Sequence, residues 1–129
     1  MTVDDIVTGM PYARFLGIET SEDGTGLITR MPFRQQLVGN LVLPALHGGV
    51  VGAFLEMAAI IEVTHQTRGE RVPRPINFNV NYLRTAGAAN CMARAEVVKL
   101  GKRVIHVSAI GWQEDPSKPF ASGYGHFLT

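Results

Sequence analysis

The sequence has a single cysteine, Cys91, and almost no net charge. Its 12 Lys and Arg residues against 11 Asp and Glu residues give a formal net charge of +1. No general electrostatic attraction to nucleic acid or to a membrane surface is therefore expected, and an anionic ligand must be bound by local groups. One cysteine cannot form an internal disulfide, which favours a reducing, cytoplasmic location.

The sequence also lacks the usual signals of export and membrane insertion. The N-terminal stretch MTVDDIVTGMPYARF has acidic residues where a signal peptide has basic ones. No apolar run reaches about 18 residues, the length that suggests a membrane span. Repeats, low-complexity segments and linker-like stretches are absent as well, so we predict one domain over residues 1–129.

Short periodic segments, separated by Gly and Pro, predict an α+β fold. The first is an amphipathic helix at 3–16, and two strands joined at EDGTG follow it. After a loop at 37–46, the apolar stretch 47–65 predicts a central helix of about five turns. The remaining strands are predicted in PINFNVNYLR and at 91–100, 103–113 and 120–128. This order places one long helix on one face of an antiparallel sheet.

A single acid, Glu56, lies in the middle of this apolar helix. Its neighbours at helical spacing, among them Gly52 and Ala53, have no side chain that can pair with it. Because an unpaired buried carboxylate is costly, Glu56 must find a partner on a strand, become protonated, or line a cavity that admits water or ligand. A structural pair and a general base or nucleophile both remain open at this point.

The helix begins with His47, Gly48 and Gly49. A helix N-terminus offers unpaired N–H groups that can bind an oxyanion, and glycines let a ligand approach the backbone, although they also allow close helix–strand packing. Gly48 and Glu56 are separated by about 12 Å along a helix axis, too far for both to contact one carbonyl. If both act in one site, two chains must meet there, and we predict a dimer with composite sites.

LHGG, an acid eight residues after its first Gly, and a later strand ending in NYLR together resemble the hotdog-fold acyl-CoA thioesterases. The resemblance is greatest to the PaaI-like branch of the 4-hydroxybenzoyl-CoA thioesterase superfamily and covers residues 13–128. It implies a long helix wrapped by a curved antiparallel sheet, dimers joined edge to edge, and pairing of dimers into a homotetramer. It also implies an acyl-CoA substrate, hydrolysis to a carboxylic acid and CoA, and no metal or redox cofactor.

The resemblance assigns roles to individual residues. The Gly48 N–H polarises the thioester carbonyl, Glu56 of the partner subunit attacks it or activates water, and His47 supports the helix start. The family Asn six residues before the His is Leu41 here, and Asn40, one residue further back, takes its role if the loop bulges. A polar residue that assists catalysis in some relatives is replaced by Pro75.

Substrate-binding candidates lie around the same helix end and on later turns. Tyr82 either contacts the pantetheine arm or fills the core, with the core favoured. Basic residues are expected to bind the CoA phosphates, although each of them also fits a solvated turn. The candidates are Gly49, Tyr82, Arg84, Gly101, Lys102 and Arg103, with Arg71 and Arg74 as weaker ones.

Other motifs carry less weight. Glu62 and His65 form one Glu-x-x-His pair, whereas carboxylate-bridged metal sites need two. His106 and His126 have no Cys or Asp at metal-binding spacing, so we assign no metal. The alternatives to a thioesterase are a non-catalytic acyl-CoA-binding or regulatory hotdog protein, and a hotdog dehydratase, whose characteristic His patterns are missing.

Overall fold

The computed structural model describes residues 2–40 and 42–129, so that Leu41, which replaces the family Asn, lies outside the described residues. Three helices and eight strands are formed by these residues. In chain order they are α1 Val3–Thr8, α2 Pro11–Leu16, β1 Glu19–Asp23, β2 Gly26–Met31, β3 Val38–Asn40, β4 Ala45–Leu46, α3 Gly48–Gln66, β5 Arg74–Tyr82, β6 Cys91–Leu100, β7 Val104–Trp112 and β8 Ala121–Leu128.

Six strands form one antiparallel sheet in the order β1-β2-β6-β7-β8-β5, and β3 pairs with β4 in a small separate ladder. The hairpin predicted at EDGTG joins β1 to β2, and β6, β7 and β8 are consecutive neighbours. The sheet curves around α3. The predicted α+β hotdog architecture, a long helix wrapped by an antiparallel sheet, is therefore confirmed.

Helix α3 forms the centre of the hydrophobic core. Phe54, Leu55 and Ile61 are fully buried on it and belong to the same cluster as Val107 of β7 and Phe127 of β8. By length and composition α3 meets the criteria for a membrane span, although Glu56 and Glu62 interrupt its apolar run. The core helix of a globular domain meets the same criteria, and α3 is that helix here.

The helix predicted at 3–16 is two helices, and this prediction was wrong in that respect. Pro11 has no N–H to donate and disfavours helical geometry at Met10, so α1 ends before this pair and Pro11 begins α2. A capping box between Thr2 and Asp5 starts α1, and Gly17, at φ 75°, ends α2 in the left-handed conformation.

The two edges of the large sheet differ in chemistry. β1 is polar and acidic, with exposed Glu19, Glu22 and Asp23. β5 carries a single charged residue, Arg74, and leaves Ile76 and Tyr82 more than half exposed. Charges protect an edge strand against further pairing, so β5 is the edge better suited to accept another strand.

Candidate active site

The first turn of α3 is fixed by His47. Its ring nitrogen Nδ1 accepts the Gly49 N–H at 2.9 Å, which makes His47 the N-cap of the helix. Its own N–H donates to the carbonyl of Leu37 at 2.9 Å. Gly39 makes this packing feasible, because a Cβ there would lie 2.8 Å from the Cα of His47. The sequence analysis missed the role of Gly39, and a glycine shortly before the HGG motif was the only signal for it.

The Gly48 N–H is the first of the helix and has no acceptor within residues 2–40 and 42–129. An N–H at this position has no hydrogen-bond acceptor inside the helix and lies at the positive end of the helix dipole. The Gly49 N–H, by contrast, is occupied by His47. Of the two glycines predicted to meet substrate, Gly48 therefore has the backbone donor that can polarise a carbonyl.

Tyr82 lies at the end of β5 and closes over this helix start. Its hydroxyl donates to the Gly48 carbonyl at 2.8 Å, and the residue as a whole stays 59% exposed. The core interpretation that we favoured for Tyr82 was therefore wrong, because the hydroxyl is held at the mouth of a cavity. The cavity has a volume of about 410 Å³ and is lined by Ala45, Leu46, Gly48, Val51, Tyr82, Leu83, Arg84, Thr85, Ala86 and Phe120.

Glu56 is half-buried on α3, and burial, which removes water from its carboxylate, raises its pKa above the ordinary value. No hydrogen bond or ion pair to it is formed by the part of the chain that the structure describes. Gly52, one turn earlier, faces Val80 and Tyr82 of β5, so that Glu56 lies on the same stripe of the helix towards that edge strand. Within the residues that the structure describes, nothing supports the interpretation of Glu56 as one half of a structural pair.

Gly48 and Glu56 are not brought to one site within a single chain. Glu56 does not line the cavity at Gly48 and Tyr82. A gap of about 12 Å along the helix axis separates the two residues, as the helical rise requires. Gly48 nevertheless contacts Tyr82 of β5, the open edge of the sheet, and Glu56 lies one turn after Gly52, which also faces β5.

Asn40 lies where the β3–β4 ladder shifts its register. Its side-chain oxygen accepts the N–H groups of Val42 at 3.0 Å and Leu43 at 3.1 Å, which builds the turn before α3. This oxygen therefore already accepts two backbone hydrogen bonds. Its assigned catalytic role stays a prediction.

The basic candidates fall into two groups. Arg84 lines the cavity, and its Nε donates to the Pro119 carbonyl at 3.1 Å. Gly101, Lys102 and Arg103 form the β6–β7 turn, at the end of the sheet where Val104 pairs with Leu128.

The second group lies away from the cavity. The cavity residue Tyr82 pairs with Ala121 at one end of β8, whereas the β6–β7 turn lies near Leu128 at the other end. Arg71 donates to the carbonyls of Gly101 at 2.7 Å and Lys102 at 2.8 Å, so it supports the turn. Within one subunit, these turn residues and the cavity do not form one surface.

The remaining candidates are the cysteine, the histidines and the Glu62–His65 pair. Within the described ranges, no group of three or more His, Cys, Asp and Glu residues is placed to hold a metal ion. Cys91 is fully buried, and this burial raises the pKa of its thiol to about 11, despite a contact from Gln113 that acts in the opposite direction. His65 pairs with Glu22 at 3.3 Å rather than with Glu62.

Comparison with known proteins identifies relatives of this chain. The thioesterase superfamily model matches residues 43–120. A protein of known structure from Chromobacterium violaceum is 38% identical, with a TM-score of 0.77 over 96% of this chain and 86% of its own. No curated protein matches the chain.

Two more distant structures have the same fold. A phenylacetic acid degradation-related protein from Ralstonia eutropha is 22% identical, with a TM-score of 0.82 over 98% of both chains. A protein from Bacillus halodurans, crystallised with CoA, is 21% identical, with a TM-score of 0.81 over 98% of this chain and 89% of its own.

Proposed function

The chain belongs to the thioesterase superfamily, and from this premise we propose that it hydrolyses an acyl- or aryl-CoA thioester to a carboxylic acid and free CoA. The observation that carries the proposal is Glu56, a carboxylate without a partner among the described residues, on the core helix and towards an open sheet edge. A structural role for Glu56 would be supported by a donor to its carboxylate, and residues 2–40 and 42–129 supply none. The CoA bound to the Bacillus halodurans relative supports CoA thioesters as the substrate class.

Glu56 either attacks the thioester carbonyl carbon, forming an anhydride that water then hydrolyses to release the acid, or takes a proton from the water that attacks this carbon. Burial raises the pKa of Glu56 and so makes its carboxylate a stronger base than that of an exposed glutamate. The Gly48 N–H stabilises the negative charge that develops on the carbonyl oxygen. His47 holds this N–H in place through its cap on the helix, and the thiolate of CoA leaves as the carbon–sulfur bond breaks.

The active site is shared between two subunits, each a single hotdog domain over residues 1–129. We infer that two subunits pair through antiparallel β5 edges and that Glu56 of one subunit then lies near the Gly48 end of the other. The exposed Ile76 and Tyr82, and the lack of acidic residues on β5, support this edge as the interface. Two such dimers pair into a homotetramer in our proposal.

The dimer also explains why the basic candidates are distributed over two ends of the sheet. The N-terminal end of β5, which carries Arg74, meets the C-terminal end of the partner strand, near Tyr82 and Arg84. Lys102 and Arg103 lie at that same N-terminal end. We assign Arg84 and the partner's turn residues to the CoA phosphates, and Tyr82 and Gly49 to the pantetheine arm.

Free thiol release from a panel of aryl-, short-chain and medium-chain acyl-CoAs tests the proposal. We expect steady turnover of at least one substrate, with one carboxylic acid formed per thiol. Saturable binding without thiol release would overturn it in favour of a binding protein. Conversion of an enoyl- or hydroxyacyl-CoA with the thioester intact would overturn it in favour of a dehydratase.

Mixed dimers test the shared site. A Glu56→Gln subunit lacks the base, and a Gly48→Pro subunit lacks the N–H donor, because proline has none. Each homodimer should be inactive, whereas a mixture refolded together should regain activity, since half of the sites in a mixed dimer carry both groups. No gain above the two separate variants would contradict a composite site. Size-exclusion profiles of the Gly48→Pro protein check that it assembles.

A further inference from the structure

A second cavity, of about 450 Å³, lies away from the candidate active site. It is found where the large sheet opens. β2 pairs with β6 only from Thr29 to Met31, so that beyond Ala93 the edge of β6 has no partner strand among the described residues. The cavity is lined there by Ala95 and Val97.

Glu62 of α3 lies in this cavity with an unsatisfied carboxylate oxygen. Its Oε2 atom is buried and has no hydrogen-bond partner among the described residues. Loss of water raises the pKa of this carboxyl, and among the charged groups around it His65 and Arg94 act to lower the pKa while Glu22 acts to raise it. Such a buried acceptor is costly unless a donor reaches it.

The nearby basic groups are already paired with other acids. Arg94 donates to the Asp23 carboxylate at 2.6 Å and also contacts Thr25 in the β1–β2 turn. His65 is paired with Glu22 at 3.3 Å. The cavity therefore has an excess of negative charge, to which Glu96 on its rim adds.

The rest of the lining is partly polar and partly apolar. Gln66, Ser108 and Thr25 offer oxygen acceptors, whereas Val97, Ala109 and Ile110 offer hydrocarbon. A metal ion fits poorly, because no set of three metal-ligating side chains is formed within the described ranges. A primary ammonium group has three N–H donors, and its alkyl chain matches the apolar wall.

We propose that this cavity binds a small primary alkylamine, whose ammonium group donates to the free Oε2 of Glu62. The remaining donors are satisfied by lining oxygens such as those of Gln66 and Ser108. Glu56 and Glu62 are six residues apart on α3 and project on different sides of it. The amine site is therefore separate from the proposed thioesterase site, and either proposal stands if the other fails.

Calorimetric titration with n-butylammonium chloride in an amine-free phosphate buffer tests this site. Wild type should bind the amine saturably with one site per chain. Glu62→Gln, which keeps the shape and removes the charge, should bind at least about tenfold more weakly, as expected for the loss of a charge-assisted hydrogen bond. Glu70→Gln, at an exposed glutamate outside the cavity, is the matched control and should bind as wild type does.

Two further measurements keep the test decisive if Glu62→Gln folds poorly. Tetramethylammonium chloride, which has no N–H donor, should bind far more weakly to wild type at equal ionic strength. In wild type, NMR titration of the Glu62 carboxyl carbon should show a lower pKa when n-butylammonium is bound. Absence of saturable binding, equal binding to Glu62→Gln, or equal binding of the two ammonium ions would overturn the proposal.

Discussion

The imidazole cap at the start of α3 allows a quantitative prediction. Replacing His47 by Ala removes the 2.9 Å hydrogen bond to the Gly49 N–H and leaves that donor to water. Loss of a side-chain N-cap costs typically about 1 kcal/mol of folding free energy. For a domain of 129 residues, this corresponds to a fall in Tm of roughly 3–5 °C. Urea unfolding and thermal scans at one fixed protein concentration would measure it, since oligomerisation makes Tm depend on concentration.

His47→Asn is the matched control, because Asn is among the best N-cap residues. It should recover most of the lost stability. The hydrolysis rate should fall in His47→Ala, because the first turn of α3, which orients the Gly48 N–H, has lost its cap. The rate should recover in part in His47→Asn. Wild-type stability of His47→Ala, or equal destabilisation by both replacements, would refute the role of His47 as a cap.

Four further outcomes are expected. The kcat/KM for thioester hydrolysis should rise with pH through a pKa above the ordinary glutamate value, because the reactive form of Glu56 is ionised; a flat profile from pH 4 to 8 would contradict this. Cys91 should resist a thiol reagent in the native protein and react after denaturation, because burial raises its pKa to about 11; fast native labelling would count against it. Gly125→Ala should lower the free energy of unfolding by roughly 1–3 kcal/mol through overpacking, since a Cβ would lie 2.6 Å from the Asn77 carbonyl oxygen; wild-type behaviour in urea would refute the close packing. Glu62→Gln should stabilise the amine-free protein at pH values where Glu62 is ionised, because burial penalises only the ionised carboxylate and thereby raises its pKa. This gain should disappear as the pH falls towards the ordinary pKa of glutamate; an advantage independent of pH would exclude this cause.

The main elements of the fold could be predicted from periodicity. The run 47–65 is too long and too rich in Ala and Leu for a strand, and α3 spans Gly48–Gln66. The alternation in PINFNVNYLR gave β5 for the same kind of reason. The break at Met10 was missed because an amphipathic pattern continues across it, whereas the missing N–H of Pro11 decides the geometry.

Local chemistry located the candidate site, but tertiary context decided how its parts are used. His47, Gly48 and Glu56 were found because their residue types are unusual at a helix start or inside an apolar helix. The hydrogen bond from Tyr82 to the Gly48 carbonyl joins residues 34 positions apart, so a local sequence pattern could not predict it. The same holds for the unsatisfied oxygen of Glu62, which depends on where the pairing of β2 with β6 stops.

The central claim is that Glu56 performs the chemistry of thioester hydrolysis. The most direct test is the rate of thiol release by Glu56→Gln on the best acyl-CoA substrate, with Glu70→Gln as a matched exposed control. The account predicts a loss of at least about a hundredfold for Glu56→Gln, the usual effect of removing a general base or nucleophile, with unchanged assembly. Full activity of Glu56→Gln on a substrate that wild type hydrolyses would contradict it.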